Sequence, residues 1–148
     1  MELFFSIALA ILGGFCLPTQ AGINAQLSTV THSSIMAATI SFAVGTLGLV
    51  ACVFLFRVSW PSASTVVRVP WWMWSGGFIG AFFVATTIIL APRLGAAPMV
   101  ALIVGGQMIA SMVLDHCGLL GYEVHPLNIW RIAGGGLIVA GVALINTF

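Results

Sequence analysis

From Leu3 to about Leu27 the chain carries no charged side chain, and stretches at about 34–56, 71–90, 97–117 and 129–148 are nearly as apolar. A hydrocarbon core of about 30 Å needs about 20 helical residues at about 1.5 Å each. All five stretches meet that length. In lipid no water can satisfy the backbone, so a spanning segment must close its own hydrogen bonds, and the helix does this within one segment. The rest of the 148 residues cannot rescue a soluble fold. Only 5% are charged against 61% hydrophobic, and there is no lysine, so a globular surface could not be solvated. The expected fold class is an all-α membrane protein of five transmembrane helices, a single domain over residues 1–148.

The breaks between spans are legible. Thr31 to Ser34 form a short turn. Arg57 ends the second span, and Pro61 and Pro70 bracket the longest polar connection, with room for a short interfacial piece around Trp60. Trp71, Trp72 and Trp74 open the third span as an aromatic belt, and Pro92 is expected to stop it. Pro98 suits the first turn of the fourth helix. Glu2 stands where a signal peptide would be positive, so the N-terminal run reads as the first span. Small residues recur at helical spacing in Ala37, Ser41, Gly45, Gly48 and Cys52, and Gly76 and Gly80 form a GxxxG pair, a pattern that lets helices approach closely.

Several function classes drop out. A net charge of +1 gives no reason to expect nucleic acid. Three cysteines without paired spacing argue against a disulfide framework or a zinc site, and Cys16 and Cys52 should pack as small hydrophobes. No nucleophile with a paired base and no glycine loop after a strand is visible, so no cofactor, metal or catalytic residue is assigned. The expected partners are membrane lipid and a small-molecule substrate.

The polar residues inside the spans are few, and each must face protein or a wet cavity. Pro18 frees the carbonyl of Gly14 and should kink the first helix. Gln20 and Asn24 follow it at i and i+4. They can bind a polar substrate or bond across helices. In the fourth span Gln107, Ser111 and Asp115 fall on one stripe. Gln107 is a candidate cavity residue, with an interhelical bond as the alternative. Ser111 suits helix packing as well as a cavity. Asp115 at a helix C-terminus and Arg131 at the next N-terminus each oppose the macrodipole, and pairing relieves both. Alternatively Asp115 and His116 form a proton-sensitive gate. Arg93 is a snorkelling anchor or an anion contact at a cavity mouth, and Trp74 an interface anchor or a cavity wall.

Five spans place Arg57, Arg68 and Arg131 on the side of the N-terminus and Arg93 on the other. The positive-inside rule then favours a cytoplasmic N-terminus only weakly, a bias compatible with insertion both ways. No carboxylate lies deep in any span, which disfavours proton-coupled export of lipophilic cations. Neutral, zwitterionic or anionic small molecules remain.

The segments PTQAGINAQL, WMWSGGFIGAFFV and APRLGAAPMVALIVGGQMIASMVLDHCGLLG resemble the YdcZ-like family of small bacterial inner-membrane proteins, in the drug/metabolite transporter superfamily. The resemblance covers nearly the whole chain. It implies a multi-pass protein of the bacterial inner membrane and half of a ten-helix inverted-repeat transporter. Dimerisation with a second copy of itself, or with a paralogue, in the opposite orientation would complete it. It also implies a substrate site near the midplane between the halves. Two other readings stay open: a structural or regulatory membrane subunit that moves nothing, and a membrane-embedded enzyme built on Asp115 and His116.

Overall fold

The computed structural model describes residues 1–148 and is all-helical. Its elements are α1 (Glu2–Thr31), α2 (Ser34–Leu55), a short α3 (Ala63–Val67), a 3₁₀ turn (Trp71–Trp74), α4 (Ser75–Leu94), α5 (Ala96–Cys117) and α6 (Ile129–Thr147). A further single 3₁₀ turn covers Leu119–Gly121. Five segments are long and apolar enough to cross a membrane: α1, α2, the Trp71 turn continued by α4, α5 and α6.

Local chemistry sets the ends. α1 persists four residues past Leu27 to Thr31, whose hydroxyl donates to the Leu27 carbonyl at 3.0 Å. It stops at His32, which is left-handed at φ 54°. Ser33 then caps α2 by accepting from the Met36 amide at 3.2 Å. The turn is therefore two residues, shorter than the sequence suggests. Pro18 sits inside α1 without ending it. Pro92 does not stop the third span either: α4 runs through it to Leu94. So close to the end of the helix, the missing N–H costs one backbone bond. The stop falls at Gly95, whose φ of 82° other residues disfavour.

The chain forms two compact units, Met1–Arg93 and Leu94–Phe148. In the first, α1 packs along α2, and a small core forms where Ala37 and Ala38 of α2 meet Val84 and Ile88 of α4, with Leu27 of α1 against them. Ala37 and Ile88 are almost wholly buried. Most large apolar side chains are exposed instead, among them Phe4, Phe15, Phe78 and Phe82. Water would penalise that surface heavily, whereas lipid tails are as apolar as the side chains.

The small-residue stripe works differently from its sequence pattern. The alanines make the close approach. Gly45, Gly48 and Gly76 have open space where a Cβ would stand, and Gly80 meets only the Phe42 ring, at 3.6 Å.

In the second unit α5 and α6 form a hairpin. Here glycines do admit a neighbour: a Cβ on Gly135 would lie 2.6 Å from the Met112 methyl, and one on Gly105 would lie 3.4 Å from Val142. Gly118 ends α5 in the left-handed region at φ 60°, and a Cβ there would stand 2.7 Å from Val124 Cγ2. Strain and clash therefore coincide at Gly118. Gly118→Ala should lose about 1–2 kcal/mol from the backbone conformation alone, plus the clash. The thermal midpoint of purified protein measures the loss, and adding Val124→Ala should recover only the clash.

Candidate substrate groove

Hydroxyls in the first unit mostly satisfy themselves. Thr19 donates to Phe15 O at 2.9 Å, Ser28 to Ala25 O at 2.8 Å, Thr39 to Ile35 O at 2.9 Å and Thr87 to Val84 O at 2.8 Å. Each returns its proton to its own helix and needs nothing from elsewhere. The amides of α1 behave otherwise. Asn24 is 4% exposed, and its Nδ2 is enclosed without a hydrogen-bond partner. A buried unpaired donor costs about 1–3 kcal/mol. Gln20, one turn earlier, is exposed.

Both amides line a groove of about 600 Å³ between α1 and α2. Ser41 reaches it from α2, and Thr19 and Cys16 from α1, while Phe15, Ile23 and Val44 form much of its apolar wall. Gln20 and Ser41 also border a recess of about 210 Å³ beside Gly45 and Thr46. Gln20 lies eleven residues from the Thr31 end of α1, about 17 Å along the axis at about 1.5 Å per residue. That is close to half of a hydrocarbon core of about 30 Å. Cys16 therefore faces this groove rather than packing as a core hydrophobe.

Trp74 belongs to a separate groove of about 570 Å³ between α2 and α4, with Phe42, Phe78 and Phe82. Thr39 lines it too, but spends its proton on Ile35. The wall is otherwise apolar and aromatic, which suits an acyl chain better than a polar solute. Arg93, in the last turn of α4, is exposed.

In the second unit Gln107 is exposed on α5 and makes no side-chain hydrogen bond within the chain. Ser111 lines a recess of about 310 Å³ with Asp115, Arg131 and Gly134. Arg131 Nη1 donates to Asp115 Oδ2 at 3.2 Å and to the His125 carbonyl at 3.1 Å. The Asp115 carbonyl receives the His125 amide at 2.9 Å. His116 faces elsewhere: its Nδ1 accepts the Leu127 amide at 3.2 Å. Asn128 caps α6 through the Arg131 amide at 2.9 Å. Together these bonds tie the segment 118–128 to the end of α5. No cluster of side chains that could hold a metal ion is present.

Comparison with known proteins agrees with this architecture. The family model described as "Putative inner membrane exporter, YdcZ" matches residues 5–144. The chain belongs to the YdcZ family. It is 26% identical to the inner membrane protein YdcZ of Escherichia coli (strain K12) over 145 residues, 98% of this chain and 97% of that one. No solved structure matches it.

Within this YdcZ-family chain, sequence reasoning passed over three groove residues. Ser41 was one member of a small-residue stripe, Thr19 had no distinguishing partner, and Cys16 looked like packing. Register could have found them, since Cys16, Gln20 and Asn24 recur at i, i+4 and i+8. The His116 contact gives a direct test. An imidazole accepts through Nδ1 only when that nitrogen carries no proton. His116→Ala should therefore speed hydrogen exchange at the Leu127 amide several-fold while leaving the middle of α5 protected.

Proposed function

We propose that this chain is a secondary transporter of a small neutral, zwitterionic or anionic molecule, acting as an oppositely oriented dimer. The observation that carries the reading is the Asn24 amide, buried and unpartnered beside a groove at membrane depth. A structural helix pair gains nothing from leaving such a donor unpaired, whereas a binding site needs one. Membership of a family described as an inner-membrane exporter supports the same reading.

Two features support the second copy. Gln107 presents an uncommitted amide on an exposed stretch of a spanning helix, where lipid cannot satisfy it. The arginines differ by only three to one between the two sides, so orientation is weakly specified. An inverted pair would place polar groups from both copies around one central passage. The enzyme reading is weakened because Asp115 is held by Arg131 and His116 by the Leu127 amide, so the two do not bond to each other as an acid–base pair.

Counterflow in proteoliposomes, run across a panel of neutral, zwitterionic and anionic solutes, tests transport. At least one solute should exchange, and Asn24→Leu should slow it about tenfold, the equivalent of one hydrogen bond of about 1.4 kcal/mol. No exchange by any solute would leave a structural or regulatory subunit. Orientation is tested by adding arginines. Ser59→Arg with Tyr122→Arg, or His32→Arg with Ala96→Arg, should each fix one orientation and abolish exchange. Co-expression of the two variants should restore it. Full activity of either variant alone would rule out the inverted pair.

A further inference from the structure

We propose that the α1–α2 groove takes a neutral, largely apolar molecule through one carbonyl-type oxygen, received by the side-chain N–H of Asn24. This rests on the groove being the transporter's substrate site, and it narrows the substrate class. No acidic or basic side chain lines the groove. A charged solute entering it would lose its hydration and meet no counter-charge. Zwitterions and anions are thereby disfavoured at this site. The walls are Phe15, Ile23, Leu27 and Val44, so the body of the ligand is apolar. A volume of about 600 Å³ lies in the range of small-molecule sites.

The unmet group decides the chemistry. Asn24 Nδ2 is a donor, so the missing partner is an acceptor. The hydroxyl of Thr19 donates to Phe15 O and makes no bond with Asn24. For its N–H to meet a ligand, the amide must turn about its Cβ–Cγ bond toward the groove that Asn24 lines, which carries Oδ1 to the enclosed position. An ester, ketone or tertiary amide matches that donor and brings no donor of its own that would need burying.

Cys16 lines the same groove and serves as reporter once Cys52→Ala and Cys117→Ala remove the other thiols. The full chain in lipid nanodiscs is treated with N-ethylmaleimide in the presence of N,N-dimethyldecanamide, dodecane or decyltrimethylammonium. The tertiary amide should slow Cys16 modification saturably. Its half-maximal concentration should rise about tenfold in Asn24→Leu, and dodecane and the cation should give no saturable protection. Equal protection by dodecane, or protection undiminished in Asn24→Leu, overturns the proposal. So does a Cys16 that is shielded without ligand and freed when dimers dissociate, since a second copy then fills the groove. If Asn24→Leu does not fold, the contrast between amide and dodecane in the otherwise unaltered groove decides alone. Counterflow of some solute without protection by the amide overturns the inference and leaves transport standing. Protection in a chain that exchanges nothing supports the inference and removes transport.

Discussion

A polar atom inside a hydrocarbon layer must find its partner within protein or at a wet surface. The structure meets that demand in stages. Backbone groups close into helices. Hydroxyls such as those of Thr39 and Thr87 bond to carbonyls one turn back, and Asn146 does likewise with Val142 O at 2.8 Å. The only ion pair, Arg131 with Asp115, joins the end of α5 to the start of α6. What remains includes the amides of Gln20, Asn24, Gln26 and Gln107 and the hydroxyls of Ser41, Thr46, Thr86 and Ser111, whose side chains make no bond inside the chain. Among them Asn24 stands out, because its Nδ2 alone is enclosed without a partner.

The two units divide the chemistry. Met1–Arg93 holds the α1–α2 groove with its unpaired amide, and the aromatic groove containing Trp74. Leu94–Phe148 holds the tied segment after α5, in which Arg131, His125, His116 and Asn128 all bond to backbone groups. A single exposed ion pair is worth about 1 kcal/mol or less in water. The Asp115–Arg131 pair is roughly one-third exposed, so the rigidity of that end comes from the set of backbone bonds more than from the charge. Asp115 and His116 are adjacent, yet they serve different partners, since neighbouring positions on a helix point about 100° apart.

Helix existence was legible because hydrophobic length is a property of composition, and every span is long enough to declare itself. Stops were less legible. Pro92 looked like a terminator, but the deciding residue was Gly95, and only its backbone angle reveals that. The fate of the glycines was also hidden. GxxxG spacing states that a close approach is possible, and the neighbour that would use it is absent beside Gly76. For the groove, Gln20 and Asn24 were readable as misplaced polar residues. Ser41 was not, because its role depends on the rotation of α2 about its axis. No sequence pattern distinguishes a hydroxyl that turns back to its own helix from one that faces a cavity.

A threonine whose proton is held by its own backbone is, to whatever surrounds it, an oddly shaped valine. Thr39 and Thr147 are of this kind. Evolution can therefore exchange them for alanine or valine, and back, without altering what the bilayer meets. Counting polar residues overstates how much of such a chain is under chemical constraint. Drift should be free at the self-contained hydroxyls and costly at the amides.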